Sequence, residues 1–146
     1  MTTIACDGES MAGDGLVCSG STIFGSNAQK IVSLKDGRIV GCAGNARYQR
    51  AFVAWLNEGG EPPELDDEFE ALVLMPDGSV VSYDHKGRPL PEELPTATGS
   101  GREFALAAMD LGASPKEAVE AAAKRDMMTG GTIMSLTRPR KLRRVA

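Results

Sequence analysis

Apolar residues come in short runs over the first part of the chain, each closed by a glycine-bearing turn. TTIACDG and MAGDGLVCSG are separated by the turn signal D-G-E-S, and QKIVSL and RIVGCAG flank K-D-G, a short hairpin connection in which Gly37 is free to take positive φ. This pattern predicts antiparallel sheet. The period then changes. Tyr48, Ala51, Phe52, Trp55 and Leu56 fall at i, i+3, i+4, i+7 and i+8, with Asn45 placed to cap a helix and Gly59 and Gly60 to stop it. One amphipathic helix lying on a sheet is expected. EPPELDDEFE follows as a polar connector, and ALVLM, the P-D-G turn and SVVSYD read as a second hairpin. KGRPLPEELPTAT reads as irregular and leads through GSG into a helix, REFALAAMDLG. In ASPKEAVEAAAKRD, Ser114, Pro115 and Glu117 make a capping box with proline at the first helical position. TIMSLT closes the pattern as a last strand. Strands, helix, strands, two helices, strand is an α+β order, which calls for helices over both outer faces of two packed sheets.

Length and composition narrow the class without changing that picture. At 146 residues the expectation is a single domain, 1–146, able to bury about 70% of the surface its unfolded form exposes. No apolar run approaches the ~20 residues that a bilayer span needs. The first residues carry no basic segment ahead of an apolar core, so the expected location is cytoplasmic and the mature start close to the written one. The three cysteines, Cys6, Cys18 and Cys42, sit among small or apolar residues with no C-x-x-C pair, which favours reduced thiols over a disulfide frame or a zinc site. His85, the only histidine, follows Tyr83 and Asp84 and reads as a surface-loop residue, which argues against histidine triads and multi-histidine metal sites. A net charge of −4 argues against nucleic-acid affinity. The tail 138–146, RPRKLRRVA, nonetheless holds five of the sixteen basic residues; it reads as solvated, with docking to an acidic surface as the alternative. No cofactor is expected, and the chain contains no ATP-binding glycine loop, so any ATP dependence would come from another polypeptide.

An enzyme without a catalytic histidine needs another base, and the N-terminus offers one. Thr2 is small enough to permit removal of Met1. The freed α-amine would have an intrinsic pKa of about 7.7–8.0, near that wanted of a general base at neutral pH. Nucleophile and base would then sit on one residue. A lysine nearby would lower the pKa of both groups, and an aspartate would keep that lysine charged and aimed. Asp14 in G-D-G and Lys30 after G-S-N stand at suitable places, and Gly44, just ahead of a helix start, could present an unobstructed backbone N–H to an oxyanion.

At these residues the sequence resembles the proteasome β-subunit and HslV-type threonine peptidases, within the N-terminal nucleophile hydrolases. The likeness runs collinearly through TTI at the start, GDG at 13–15, QKI at 29–31, GCAGN at 41–45, GSG at 99–101 and RDMMTGG at 125–131. It implies Thr2 as nucleophile, Asp14 and Lys30 as its charge pair, Gly44 as oxyanion donor, and Ser100 and Asp126 as polar support beside the terminal amine. Thr129 stands where such chains usually carry serine, and keeps the hydroxyl. The implied fold is a four-layer αββα sandwich, assembled as a homo-oligomeric double ring of six- or seven-fold symmetry around an inner chamber. Unfolded polypeptides are the implied substrates and an ATP-dependent unfoldase a candidate partner. Two departures stand out. Cys18 falls where a threonine usually holds the substrate backbone, and only about a dozen connector residues follow the first helix where relatives carry another long one. A catalytically silent ring subunit and a small-molecule amidohydrolase of the same superfamily are the alternatives to an endopeptidase; the intact set Thr2, Asp14, Lys30, Ser100 and Asp126 argues against the silent one.

Overall fold

The computed structural model describes residues 2–139, so the expected loss of Met1 and most of the basic tail lie outside the described residues. Eleven strands and three helices are present among them. The N-terminal run forms β1 (Thr3–Cys6), and β2 (Ser10–Gly13) returns beside it through the D-G-E-S turn. MAGDGLVCSG is not one strand. It breaks after Gly13, and Val17–Ser19 (β3) pairs instead with Thr22–Gly25 (β4) in a separate hairpin. Ile31–Ser33 (β5) and Ile39–Ala43 (β6) make the hairpin expected around K-D-G. Helix α1 (Ala46–Glu58) follows, capped by the Asn45 side chain and ended at Gly59, whose φ is 75°.

Glu70–Leu74 (β7) and Val80–Tyr83 (β8) form the second hairpin. KGRPLPEELPTAT, expected to be irregular, instead supplies two strands, Pro89–Glu92 (β9) and Thr96–Gly99 (β10). Pro89 and Pro91 are tolerated because β9 is the edge of its sheet. Alternate residues of a strand turn their N–H the same way, so both missing donors face the open side. Helices α2 (Arg102–Asp110) and α3 (Pro115–Ala123) come next, the latter with the expected capping box, and Met134–Thr137 (β11) ends the order.

The strands make a four-stranded sheet, β10-β1-β2-β11, and a five-stranded sheet, β5-β6-β7-β8-β9. Three apolar clusters show how these are stacked. Ile4, Cys6 and Met11 of the smaller sheet meet Ile31, Ile39, Leu72, Leu74 and Val80 of the larger. The alternate residues Val40, Cys42, Ala71 and Val73 face Phe52 of α1, and Ala5 and Ala12 face Ala105, Met109, Ala118 and Val119 of α2 and α3. Period-2 alternation thus gives each sheet two buried faces. The result is helix, sheet, sheet, helices: the expected four-layer αββα sandwich. One helical layer holds two helices and the other, among the described residues, only α1, with the segment from Gly59 to Phe69 non-helical as expected. Gly41 lets the sheets close up, since a Cβ there would lie 2.6 Å from Ile4 Cγ2 and 2.8 Å from Met11 Sδ.

Arg138, the first basic residue of the tail, is part-buried and bonded to the body of the domain. Its guanidinium donates to the Gly8 carbonyl at 3.0 Å, to the Pro76 carbonyl at 3.1 Å and to Glu9 Oε1 at 2.7 Å. No helix among the described residues is long and apolar enough to cross a membrane.

Candidate active site

The N-terminal strand is held on both edges, by β10 and β2, which is why the chain is ordered from its first described residue. Thr2, at the head of β1, is 2% exposed. The glycines of G-S-G fit against it closely. Gly99 has φ 97°, and a Cβ on it would overlap the Thr2 carbonyl oxygen; one on Gly101 would overlap Thr3 Oγ1.

On one side of this strand end lies a buried charge pair. Lys30 Nζ is 3.0 Å from Asp14 Oδ1, with the lysine side chain 9% and the aspartate side chain 0% exposed. Asp14 also accepts from backbone N–H groups of Thr3 (3.0 Å), Leu16 (3.3 Å) and Gly130 (3.0 Å). Two donors therefore serve each carboxylate oxygen, a full complement for a buried carboxylate. Burial pushes the Lys30 ammonium below its ordinary value of 10.5, against the opposing pull of Asp14. The Lys30 backbone is fixed as well, its carbonyl accepting from Cys42 N–H at 3.0 Å.

The other side is a hydroxyl–carboxylate network. Ser100 Oγ and Thr129 Oγ1 each donate to Asp126 Oδ2 at 2.6 Å, and Met128 N–H donates to Oδ1 at 3.1 Å. Burial raises the Asp126 pKa, but these bonds outweigh it and hold the carboxyl below its ordinary range. Because Thr129 gives its proton to the carboxylate, the 2.7 Å contact between Thr129 Oγ1 and Thr3 Oγ1 is a bond donated by Thr3. Ser100 likewise spends its single proton on Asp126, leaving its 3.4 Å approach to the Thr2 carbonyl as a weak contact. Thr3 joins the two networks, its N–H on Asp14 and its hydroxyl on Thr129.

Gly44 follows β6 and precedes the Asn45 cap. Its φ is 139°, and a Cβ would press on Phe69 at 3.3 Å, so the position favours a bare backbone. Two cavities open here, of about 830 and 440 Å³, and Thr2 and Gly44 are the residues that line both. Lys30 and Cys18 line the larger one. Cys18, whose sulfur is 4.0 Å from Met128 Sδ, is free like the others. The buried thiols of Cys6 and Cys42 are pushed up to about 11 and about 12 by burial, which makes them inert. His85 lies in the turn between β8 and β9, away from this site.

All seven residues singled out in the sequence therefore fall at or around one strand end. Thr3 and the Gly130 N–H were not among them. No group of three or more potential metal ligands occurs among the described residues.

No family model matches the sequence, and no curated protein matches it. The three-dimensional structure does have close likenesses. BPH of Thiobacillus denitrificans, a bacterial proteasome homologue, superposes with a TM-score of 0.70 at 20% identity over 92% of this chain and 95% of that one. The same protein in complex with epoxomicin gives 0.71 at 20% identity over 92% and 96%. A eukaryotic HslV from Trypanosoma brucei gives 0.67 at 18% identity, covering 94% of this chain and 99% of that one. The fold is that of proteasome β-subunits and HslV. In this proteasome-like fold, each likeness takes in more than nine-tenths of both chains.

Proposed function

We propose that this chain is a threonine-type endopeptidase with Thr2 as its nucleophile. The observation that carries the reading is the setting of Thr2: a buried threonine at the head of a central strand, between two cavities, with a buried lysine–aspartate pair against the same strand. Removal of Met1 frees the α-amine, which takes the proton of the Thr2 hydroxyl as the oxygen attacks a peptide carbonyl. The charge of Lys30 favours the deprotonated forms of both groups, and Asp14 keeps that charge in place. The Gly44 N–H donates to the developing oxyanion. The C–N bond breaks as the α-ammonium returns its proton to the leaving nitrogen, and the acyl group stays on Thr2 as an ester. Water, deprotonated by the same amine, then releases the acid. Ser100, Asp126 and Thr129 hold the strand end so that amine and hydroxyl stay in register.

Enclosure of such a site in a homo-oligomeric double ring, fed with unfolded polypeptide by a separate ATP-dependent unfoldase, completes the proposal. Intact mass tests its first requirement: an active preparation should lack Met1, and full retention of Met1 alongside activity would defeat the assignment. Thr2→Ala should abolish peptide hydrolysis and labelling by epoxomicin, the compound bound to the Thiobacillus denitrificans homologue. Unchanged turnover in that variant would move the chemistry elsewhere.

A further inference from the structure

The two cavities that meet at Thr2 differ in charge. The larger contains Lys30, already held by Asp14, with Arg50 and Glu58. The smaller, about 440 Å³, contains Glu68, Glu70 and Glu103 against the single cation Arg102, an excess of two negative charges. Its three acids come from three separate places: the connector after α1, the start of β7 and the first turn of α2. Glu70 accepts a hydrogen bond from the Thr98 hydroxyl, and none of the four charged groups makes an ion pair among the described residues. The space adjoins the proposed nucleophile: Thr2, Gly44 and Ser100 line it together with these charged groups.

We propose that the smaller cavity is the leaving-side subsite and selects substrates with a cationic side chain directly after the scissile bond. This rests on the peptidase reading above. When the C–N bond breaks, the acyl half remains on Thr2 as a neutral ester. The departing half gains a proton at its new amine, whose pKa of about 7.7–8.0 leaves it largely cationic at neutral pH. Of the two cavities, the one with excess negative charge suits that half. A lysine or arginine side chain on the first departing residue adds a second cation to the same field, whereas an aspartate or glutamate there meets like charge.

The test uses the full chain carrying Thr2→Ala, which binds without turnover. Three product-like peptides, Lys-Ala-Ala-amide and its norleucine and glutamate counterparts, are titrated by NMR. The lysine peptide should bind about fivefold more tightly than the norleucine one, the ratio given by an exposed charge interaction of about 1 kcal/mol. The ratio should fall toward one with added salt and in Glu68→Gln and Glu103→Gln. Equal binding of the three peptides, no saturable binding of any, or a ratio untouched by both variants would overturn the proposal, whatever the protein hydrolyses. Wild-type protein is then given a peptide mixture and its cuts mapped by mass spectrometry, where lysine or arginine should be enriched immediately after the cut. Cuts without that enrichment would also overturn it. Charge-selective binding with no cuts at all would instead fault the peptidase reading and remove the leaving-side role, leaving a cation-selective cavity.

Discussion

Asp14 takes one ammonium and three backbone N–H bonds at no exposure, so its loss strands more than the loss of Lys30 does. Lys30→Ala leaves the carboxylate with three donors. Asp14→Ala takes the acceptor from three backbone N–H groups and the paired carboxylate from beside the buried Lys30. Both break a buried pair, for which about 3–5 kcal/mol is typical. Asp14→Ala should fall at the upper end and Lys30→Ala at or below the lower end in urea unfolding, and the reverse order would show that the backbone bonds count for little. The pH profile of peptide hydrolysis has a definite sign on each limb. The rate should rise as the Thr2 amine loses its proton, at about pH 7–8. It should fall as Lys30 becomes neutral, and because burial depresses that group the fall should come below 10.5. A falling limb at or above 10.5 would assign it to another group. Thr2, Asp14, Lys30 and Gly44 were legible because each is a side chain, or the lack of one, in a short recognisable string. Thr3 and Gly130 were not, since both act on Asp14 through backbone N–H groups that any residue possesses.

At the scale of elements, two glycines and a polar strand hold the Thr2 end of β1. A Cβ at Gly101 would overlap Thr3 Oγ1 and lie 3.0 Å from Ala122 Cβ and 3.1 Å from Thr129 Oγ1. Gly101→Ala should therefore cost on the order of 1–3 kcal/mol by overpacking. It should also displace the hydroxyl network. Adding Thr3→Ala removes the oxygen in the way, so the double variant should be less destabilised than the two single changes sum to. Strict additivity in thermal unfolding would mean that α2 shifts as a whole instead. The helices, their caps and the two K-D-G and P-D-G hairpins were readable because period and punctuation agree there. β9 and β10 were not. Pro89, Pro91 and Pro95 argue against strand locally, and only the sheet order shows that β9 is an edge whose prolines face outward, and that Thr96 and Thr98 of β10 are buried against neighbours distant in sequence. The acidic lining of the smaller cavity was hidden for the same reason, as Glu68, Glu70 and Glu103 become neighbours only once both sheets are stacked.

The whole molecule carries apolar surface that a lone chain has no use for. Ile23 and Phe24 of the β3–β4 hairpin are 68% and 72% exposed, and Leu111, after α2, is 91% exposed. Ile23 and Phe24 adjoin on one hairpin, and adjoining exposed apolar side chains are what a contact surface presents. An endopeptidase with an open active site would also cut its own cell's proteins. Both considerations favour closure into rings with Thr2 inside. Light scattering should then give a mass near twelve or fourteen times 15.4 kDa. Two values are compatible because the layer beside α1 holds one helix among the described residues, with 59–69 non-helical, and the contact face it offers sets the angle at which a ring closes. Thr2→Ala should leave that mass unchanged, since the residue is buried within its own chain, while Phe24→Asp should shift it toward smaller species without loss of helical circular dichroism. A stable monomer at micromolar concentration that still hydrolyses peptides would refute enclosure. The remaining reading would then be an amidohydrolase for small substrates, for which an open site carries no hazard.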